Sequence, residues 1–160
     1  MAVCKFSLPT GEQCNETQVD GDGFCKWHGE TPAVSGRLKE ELQEKARAGH
    51  SLAGFNLKGA DLYDIYLIGA DLRYADLRHA NLTKAHLYGA NLEGADLFKS
   101  NLEKANLKAV NLKNTNLLAV IFDSTKLEDA KWDNDSVIIN EKQANAAWDK
   151  GDKTLALDKY

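Results

Sequence analysis

Leucine returns at every fifth position from Leu52 to Leu117, and the same phase continues through Phe122, Leu127 and Trp132. Few backbones can carry such a series. An α-helix turns about 100° per residue, so a period of five scatters the leucines around the cylinder. A flat strand alternates faces with period two, so an odd period sends successive leucines to opposite sides. A chain that bends by a fixed angle after every five residues presents each leucine to one shared axis, and such a chain is a solenoid.

Two positions before each leucine stands a small residue in most units, as at Ala60, Ala70, Ala75, Ala80, Ala85, Ala90, Ala95, Ser100 and Ala105, and Asp or Asn usually lies between. Both the leucine and the small residue are expected to point inward, the alanine keeping the lumen from overfilling. Asp and Asn tolerate corner conformations and bond nearby backbone, which suits a chain that turns this often. At the paired site Phe55 and Ile65 near the start, and Val110, Thr115, Val120 and Thr125 toward the finish, are larger and would plug the ends.

The pattern resembles the A-(D/N)-L-x-x consensus of the pentapeptide repeat family over residues 50 to about 133. That resemblance implies a mainly β fold, a right-handed quadrilateral (four-sided) β-helix with twenty residues per coil. The period of five is read from the residues themselves; the fourfold turn comes only from the resemblance.

Four segments follow from composition and spacing: a module over 1–34, a capping helix over 35–49, the repeats over 50–134 and a C-terminal helical cap over 135–160. The first holds all three cysteines, Cys4, Cys14 and Cys25, together with His28. An odd cysteine count argues against a closed disulfide set, whereas three thiolates and one imidazole supply the four ligands of tetrahedral zinc. Cys25-x-x-His28 lets two ligands from one turn reach one ion, and Gly11 makes a turn between the other two. The arrangement is similar to the short Cys/His modules found beside other bacterial domains. About thirty residues rarely build a sufficient core without a metal or disulfide staple. The zinc is expected to be structural, because four protein ligands leave no open position for water or substrate. The alternative is three reduced thiols beside an apolar cluster of Phe6, Phe24 and Trp27.

In SGRLKEELQEKARAG the spacing of Leu38, Leu42 and Ala46 predicts a helix over about 36–48, with Ser35 capping its start and Gly49 ending it. A second helix is expected after Asn140, which has Gln143 in the reciprocal capping position. Each helix would cover an open end of the solenoid, where unpaired strand edges invite aggregation. His50 falls on an inward-facing phase and reads as an end-cap histidine.

On the outside, stacking residues twenty apart puts Tyr66, Ile68, His86 and Tyr88 together as an apolar and aromatic patch, and Phe98 beside Leu118 as a second one. The terminal segments could fold back over these patches, or the patches could dock a protein partner or a second copy of the chain. No Gly-rich phosphate loop, G-x-S-x-G elbow or H-E-x-x-H motif occurs, so the chain reads as a non-catalytic scaffold or regulatory protein-protein interaction module. Relatives in the resembled family mimic DNA to modulate type II topoisomerases, the alternative reading. Residues 50–134 carry ten Lys or Arg against eleven Asp or Glu, too balanced for a polyanion mimic. Nucleic-acid binding by the module is disfavoured as well, with Lys5 and Lys26 against Glu12, Glu16, Asp20, Asp22 and Glu30. Neither a run of 18 apolar residues nor a secretory leader is visible, so a cytoplasmic bacterial protein without a membrane span is expected.

Overall fold

The computed structural model describes residues 3–16, 21, 23–30, 32 and 36–132. From residue 52 onward the chain winds with one register. Parallel bridges join residues twenty apart, from Asn56 and Asp76 to Asn111 and Lys131. Four five-residue units therefore complete each coil, and residues 52–131 make four coils. Neighbouring coils are tied by backbone hydrogen bonds: Asp76 N–H donates to the Phe55 carbonyl at 2.9 Å, and Leu57 N–H donates to the Asp76 carbonyl at 2.8 Å. The β character is confined to single-residue bridges, with no longer strand among the described residues. Each unit has one bridging residue before the chain turns again, and further bonds such as Gly59 N–H to the Arg78 carbonyl at 2.8 Å also cross between coils.

The turns have a uniform chemistry. The N–H three residues after each leucine donates back to that leucine's carbonyl, as from Ala80 to Leu77 at 3.0 Å. The residue two after the leucine has positive φ throughout, from 55° at Asn114 to 70° at Gly54. Such a turn needs φ above zero at its third residue, the type II pattern. Five of these positions in the repeats are glycine, but Tyr74, His79, Lys84, Ala109 and Ala119 are not. A left-handed residue other than glycine costs about 1–2 kcal/mol, and the coil-to-coil ladder holds these residues there.

This changes the role assigned to Asp and Asn. They sit at the bridging position, not at the corner. Their Oδ1 accepts the N–H two residues on, as from Arg78 to Asp76 at 3.1 Å and from Glu103 to Asn101 at 2.9 Å. They also ladder between coils, Asn111 Nδ2 donating to Asn91 Oδ1 at 3.0 Å and Asn116 Nδ2 to Asp96 Oδ1 at 2.9 Å.

Inside the rod the leucines from Leu52 to Leu117 are at most 1% exposed, and Ala75, Ala80, Ala85, Ala90, Ala95 and Ala105 are as deeply buried. Phe122 and Trp132, in phase with them, are partly buried and pack against the same core. Three hydroxyls enter the lumen. Thr115 and Thr125 donate to the Leu92 and Leu102 carbonyls at 2.9 and 2.7 Å, but Ser100 Oγ, fully buried, meets no partner. A buried hydroxyl without a partner is destabilising. Ser100→Ala, which restores the small apolar residue of the neighbouring units, is expected to raise stability by about 1 kcal/mol in urea unfolding without changing the m-value.

The helix, α1, runs Leu38–Arg47 and buries Leu42 against the first coil. Gly49, with φ +75°, ends it: Gly49 N–H donates to the Ala46 carbonyl and His50 N–H to the Lys45 carbonyl, a Schellman closure. Arg37 occupies the N-cap without a side-chain bond; the expected cap, Ser35, lies outside the described residues. His50 is exposed, not inward, because its N–H is committed to closing the helix before the coil begins. The expected C-terminal helix at 135–160 also falls outside the described residues.

A candidate metal centre at the first coil

Sequence spacing left Cys4 and Cys14 loosely placed. A hairpin brings them together. Ser7 and Gln13 pair antiparallel across the Gly11 turn, and the pairing extends through Cys14 N–H to the Phe6 carbonyl at 3.1 Å and Cys4 N–H to the Glu16 carbonyl at 3.0 Å. Opposite the hairpin, Cys25 and His28 share one tight turn, with His28 and Gly29 N–H both donating to the Cys25 carbonyl.

One ligand atom from each of Cys4, Cys14, Cys25 and His28 lies within 4.8 Å of all the others. Cys14 Sγ is 3.8 Å from Cys25 Sγ, Cys25 Sγ is 3.2 Å from His28 Nδ1, and Cys4 Sγ is 3.7 Å from His28 Nδ1. Two thiolates each about 2.3 Å from a tetrahedral zinc sit about 3.8 Å apart, so the spacing suits such an ion. All three cysteines are unbridged. His28 Nε2 lies 3.0 Å from the Ala53 carbonyl, a contact that leaves Nδ1 as the lone-pair nitrogen facing the sulfurs.

Burial pushes the Cys14 thiol up to about 12 and raises Cys25 as well. At Cys4 burial acts in the same sense, but hydrogen bonds from the Cys25 and Phe6 backbone and the Cys25 and Cys14 side chains together hold that thiol below its ordinary value. Burial also lowers His28, favouring the neutral imidazole that ligates metals. Three crowded thiols cannot all ionise by themselves. A divalent cation supplies the charge that lets them do so, releasing protons as it binds.

Phe6 and Trp27, apolar neighbours of the ligands in the sequence, pack against the rod, and Arg73, which carries no sequence signal, joins them. Trp27, between two ligands, is 2% exposed and stacks on Phe55 at 4.7 Å, roofing the lumen of the first coil. Phe6 stacks on His28 at 3.9 Å and lies against Gly54 so closely that a Cβ there would collide with its ring. Arg73 reaches from the second coil to clamp the hairpin, with Nη1 and Nη2 on the Glu12 carboxylate at 3.0 and 2.8 Å while Nε holds Asp71 at 2.8 Å. A groove of about 400 Å³ lined by Phe6, Cys14, Glu16, His28, Lys45 and His50 opens beside the cluster.

Gly54 and Gly59 share nearly the same φ, but the space at Gly59 is open. Both Gly→Ala variants therefore bear the left-handed penalty of about 1–2 kcal/mol, and only Gly54→Ala must also displace Phe6 from His28. Zinc titration is expected to show weaker binding for Gly54→Ala alone; equal affinities would mean that Phe6 does not support the histidine.

On the rod surface, Tyr66 stacks on His86 at 4.0 Å, and His86 Nε2 is 3.2 Å from Asp64 Oδ1. Tyr66, Ile68 and Tyr88 are 48%, 61% and 50% exposed. Phe98 is half-buried, edged by His79 and covered by the Lys99 ammonium, with Leu118 exposed. Among the described residues, no helix is long and apolar enough to cross a membrane.

The Pentapeptide repeats family matches residues 60–97 and 100–131 as eight copies. Among solved structures, the pentapeptide repeat protein alr5209 from Nostoc PCC 7120 is 33% identical, over 61% of this chain and 81% of that one, with a TM-score of 0.45. The chain belongs to the pentapeptide repeat family. Proteins of this family form right-handed β-helices and are typically structural or interaction proteins. Rfr23 from the cyanobacterium Cyanothece 51142 is 37% identical over 52% of this chain, with a TM-score of 0.51. HetL from Nostoc sp. strain PCC 7120, involved in heterocyst differentiation regulation, is 31% identical over 52%, with a TM-score of 0.47. The repeat protein spans 56% of Rfr23 and 40% of HetL. No curated protein matches the sequence.

Proposed function

We propose that this protein is a non-catalytic scaffold or regulatory protein-protein interaction module. In this reading residues 50–134 form a quadrilateral rod, the module at 1–34 and the helix segment at 35–49 close its first end, and residues 135–160 form a helical cap at the other. The module holds one structural zinc on Cys4, Cys14, Cys25 and His28, and the four ligands leave no position for substrate. Three reduced thiols suit a cytoplasmic setting.

The observation that carries the reading is the exposure of Tyr66, Ile68 and Tyr88 together on one face of a rod whose interior is fully packed. A rigid backbone presents aromatic anchors at little entropic cost, and such anchors dominate interface energetics. Phe98 and Leu118 form a secondary candidate surface. The occupant is another protein or a second copy of this chain. DNA mimicry has less support, because Arg73, Arg78 and Lys108 neutralise Asp71, Asp76 and Glu128 along the rod.

The double variant Tyr66→Ser, Tyr88→Ser tests the patch. Loss of assembly or partner capture with the melting temperature unchanged is expected; a lower melting temperature with assembly unchanged sinks the docking role. For the metal, one equivalent of zinc is expected in protein purified without chelator, and less than about a tenth of an equivalent refutes the site.

A further inference from the structure

Every coil after the first rests on a preceding one. Asp76, Asn81 and His86 donate their N–H groups to the Phe55, Ala60 and Ile65 carbonyls of the coil before. The first coil has no such neighbour, and its edge is met by other parts of the chain. Asn56 N–H donates to the Trp27 carbonyl at 2.7 Å, and Asn56 Nδ2 donates to the Gly29 and Glu30 carbonyls at 3.0 and 3.1 Å. Helix α1 covers another side: Tyr66 N–H donates to Gln43 Oε1 and the Tyr63 carbonyl accepts from Lys39 Nζ, both at 3.0 Å. The turn from Cys25 to Glu30 thus stands in for a missing coil, and that same turn supplies two of the four ligands.

Beyond its sulfurs and imidazole the module is tied to the rod and α1 by Trp27 on Phe55, Phe6 against Gly54, and the Arg73–Glu12 and Lys45–Glu16 pairs, contacts that depend on the module's own small core. Among its described residues Cys4, Leu8, Cys25 and Trp27 are the buried apolar side chains, and two of these are ligands. Without an ion, the turn loses its anchor while α1 stays on the first coil through Lys39 and Gln43. The Asn56 edge and the Phe55 ring would then face solvent. An edge carrying unpaired N–H and C=O groups is a template for another strand. Two copies can meet there through the same patch on each, because one edge offers both donors and acceptors and so complements itself about a twofold axis.

We propose that zinc occupancy of the Cys4, Cys14, Cys25 and His28 site gates head-to-head pairing of this protein with a second copy through the first coil. Bound zinc keeps the Cys25 to Glu30 turn on the edge; its loss frees the edge for the partner. The proposal rests on the zinc reading above and extends it from structural support to control of assembly.

Light scattering on the full-length protein tests it. Chelation should about double the particle mass relative to the zinc-loaded protein, and one equivalent of zinc should restore the original value. Cys25→Ser, which removes a ligand and so frees the turn, should show the doubled mass without chelator. Asn56→Pro, which deletes the edge donor, should keep its mass on chelation. An unchanged mass after zinc removal, an unchanged mass for Cys25→Ser, or doubling in Asn56→Pro overturns the proposal. A wild-type protein that takes up no zinc refutes the metal reading, and the gate with it; zinc uptake without a change of mass refutes the gate alone.

Discussion

Leu87→Asp is expected to abolish folding of the rod, whereas Tyr88→Asp, one residue further along, leaves it standing. Leu87 is 1% exposed in the lumen, stacked in register with Leu67 and Leu107, and Tyr88 is 50% exposed. An aspartate at 87 loses the leucine's packing and buries a charge for which the lumen offers no cation. Losing a buried leucine alone costs about 2–5 kcal/mol, and an unpaired buried charge adds several more. Against a total stability of about 5–15 kcal/mol, that is enough to unfold the chain. At 88 the carboxylate stays in water and the expected change is within about 1 kcal/mol. Circular dichroism and urea unfolding of the two variants check this. Equal, mild effects would mean that the inward phase is wrongly assigned.

Cys25→Ser is expected to have the next largest effect, confined to the other end of the molecule. Cys25 is 2% exposed; its sulfur is close to Cys14 Sγ and His28 Nδ1, and its carbonyl closes the turn that carries Trp27. Serine keeps the shape but is a poor zinc ligand, and structural zinc contributes about 10–16 kcal/mol of apparent binding energy to small modules at neutral pH. With three ligands the module should open, so trypsin should cut at Lys5 and Lys26 while the repeat amides stay protected from hydrogen exchange. The coil ladder explains the division, because solenoid stability comes from contacts between neighbouring coils and the inner coils do not touch the ligands. A variant that still holds one equivalent of zinc and resists trypsin at both sites would remove Cys25 from the ligand set.

The rod was largely legible before any coordinates. A five-residue period repeated over more than eighty residues admits few backbones, and the alternation of leucine with a small residue marked both lumen positions. Legibility failed at the turns. Asp and Asn stood out by recurrence and were assigned the corners, yet the corner belongs to a position whose residues range from Gly54 to Tyr74 and Lys99. Composition carries only a partial signal there, five glycines among side chains as large as Tyr74, because the backbone ladder imposes the left-handed conformation on the others too. His50 was misplaced for a related reason: periodicity extended one step too early, into residues already used to close α1. In the metal centre, residue types and the Cys-x-x-His spacing named all four candidate ligands. Only the hairpin register brings Cys4 and Cys14 to the other two.

What the sequence determined by itself is the repeating unit, because a period of five and a buried leucine constrain local geometry in every copy. It also named the candidate donor set, because sulfur and imidazole in that number suit few ions. The tertiary structure decided everything that joins unlike parts. Twenty residues per coil, Trp27 roofing Phe55, Phe6 fitted to Gly54, and Asn56 bonded to a turn some thirty residues earlier are contacts between segments with no shared pattern. A repeat is legible because each copy restates one local rule. An end has no neighbouring copy, and the chain closes it with whatever long-range contacts satisfy the exposed edge.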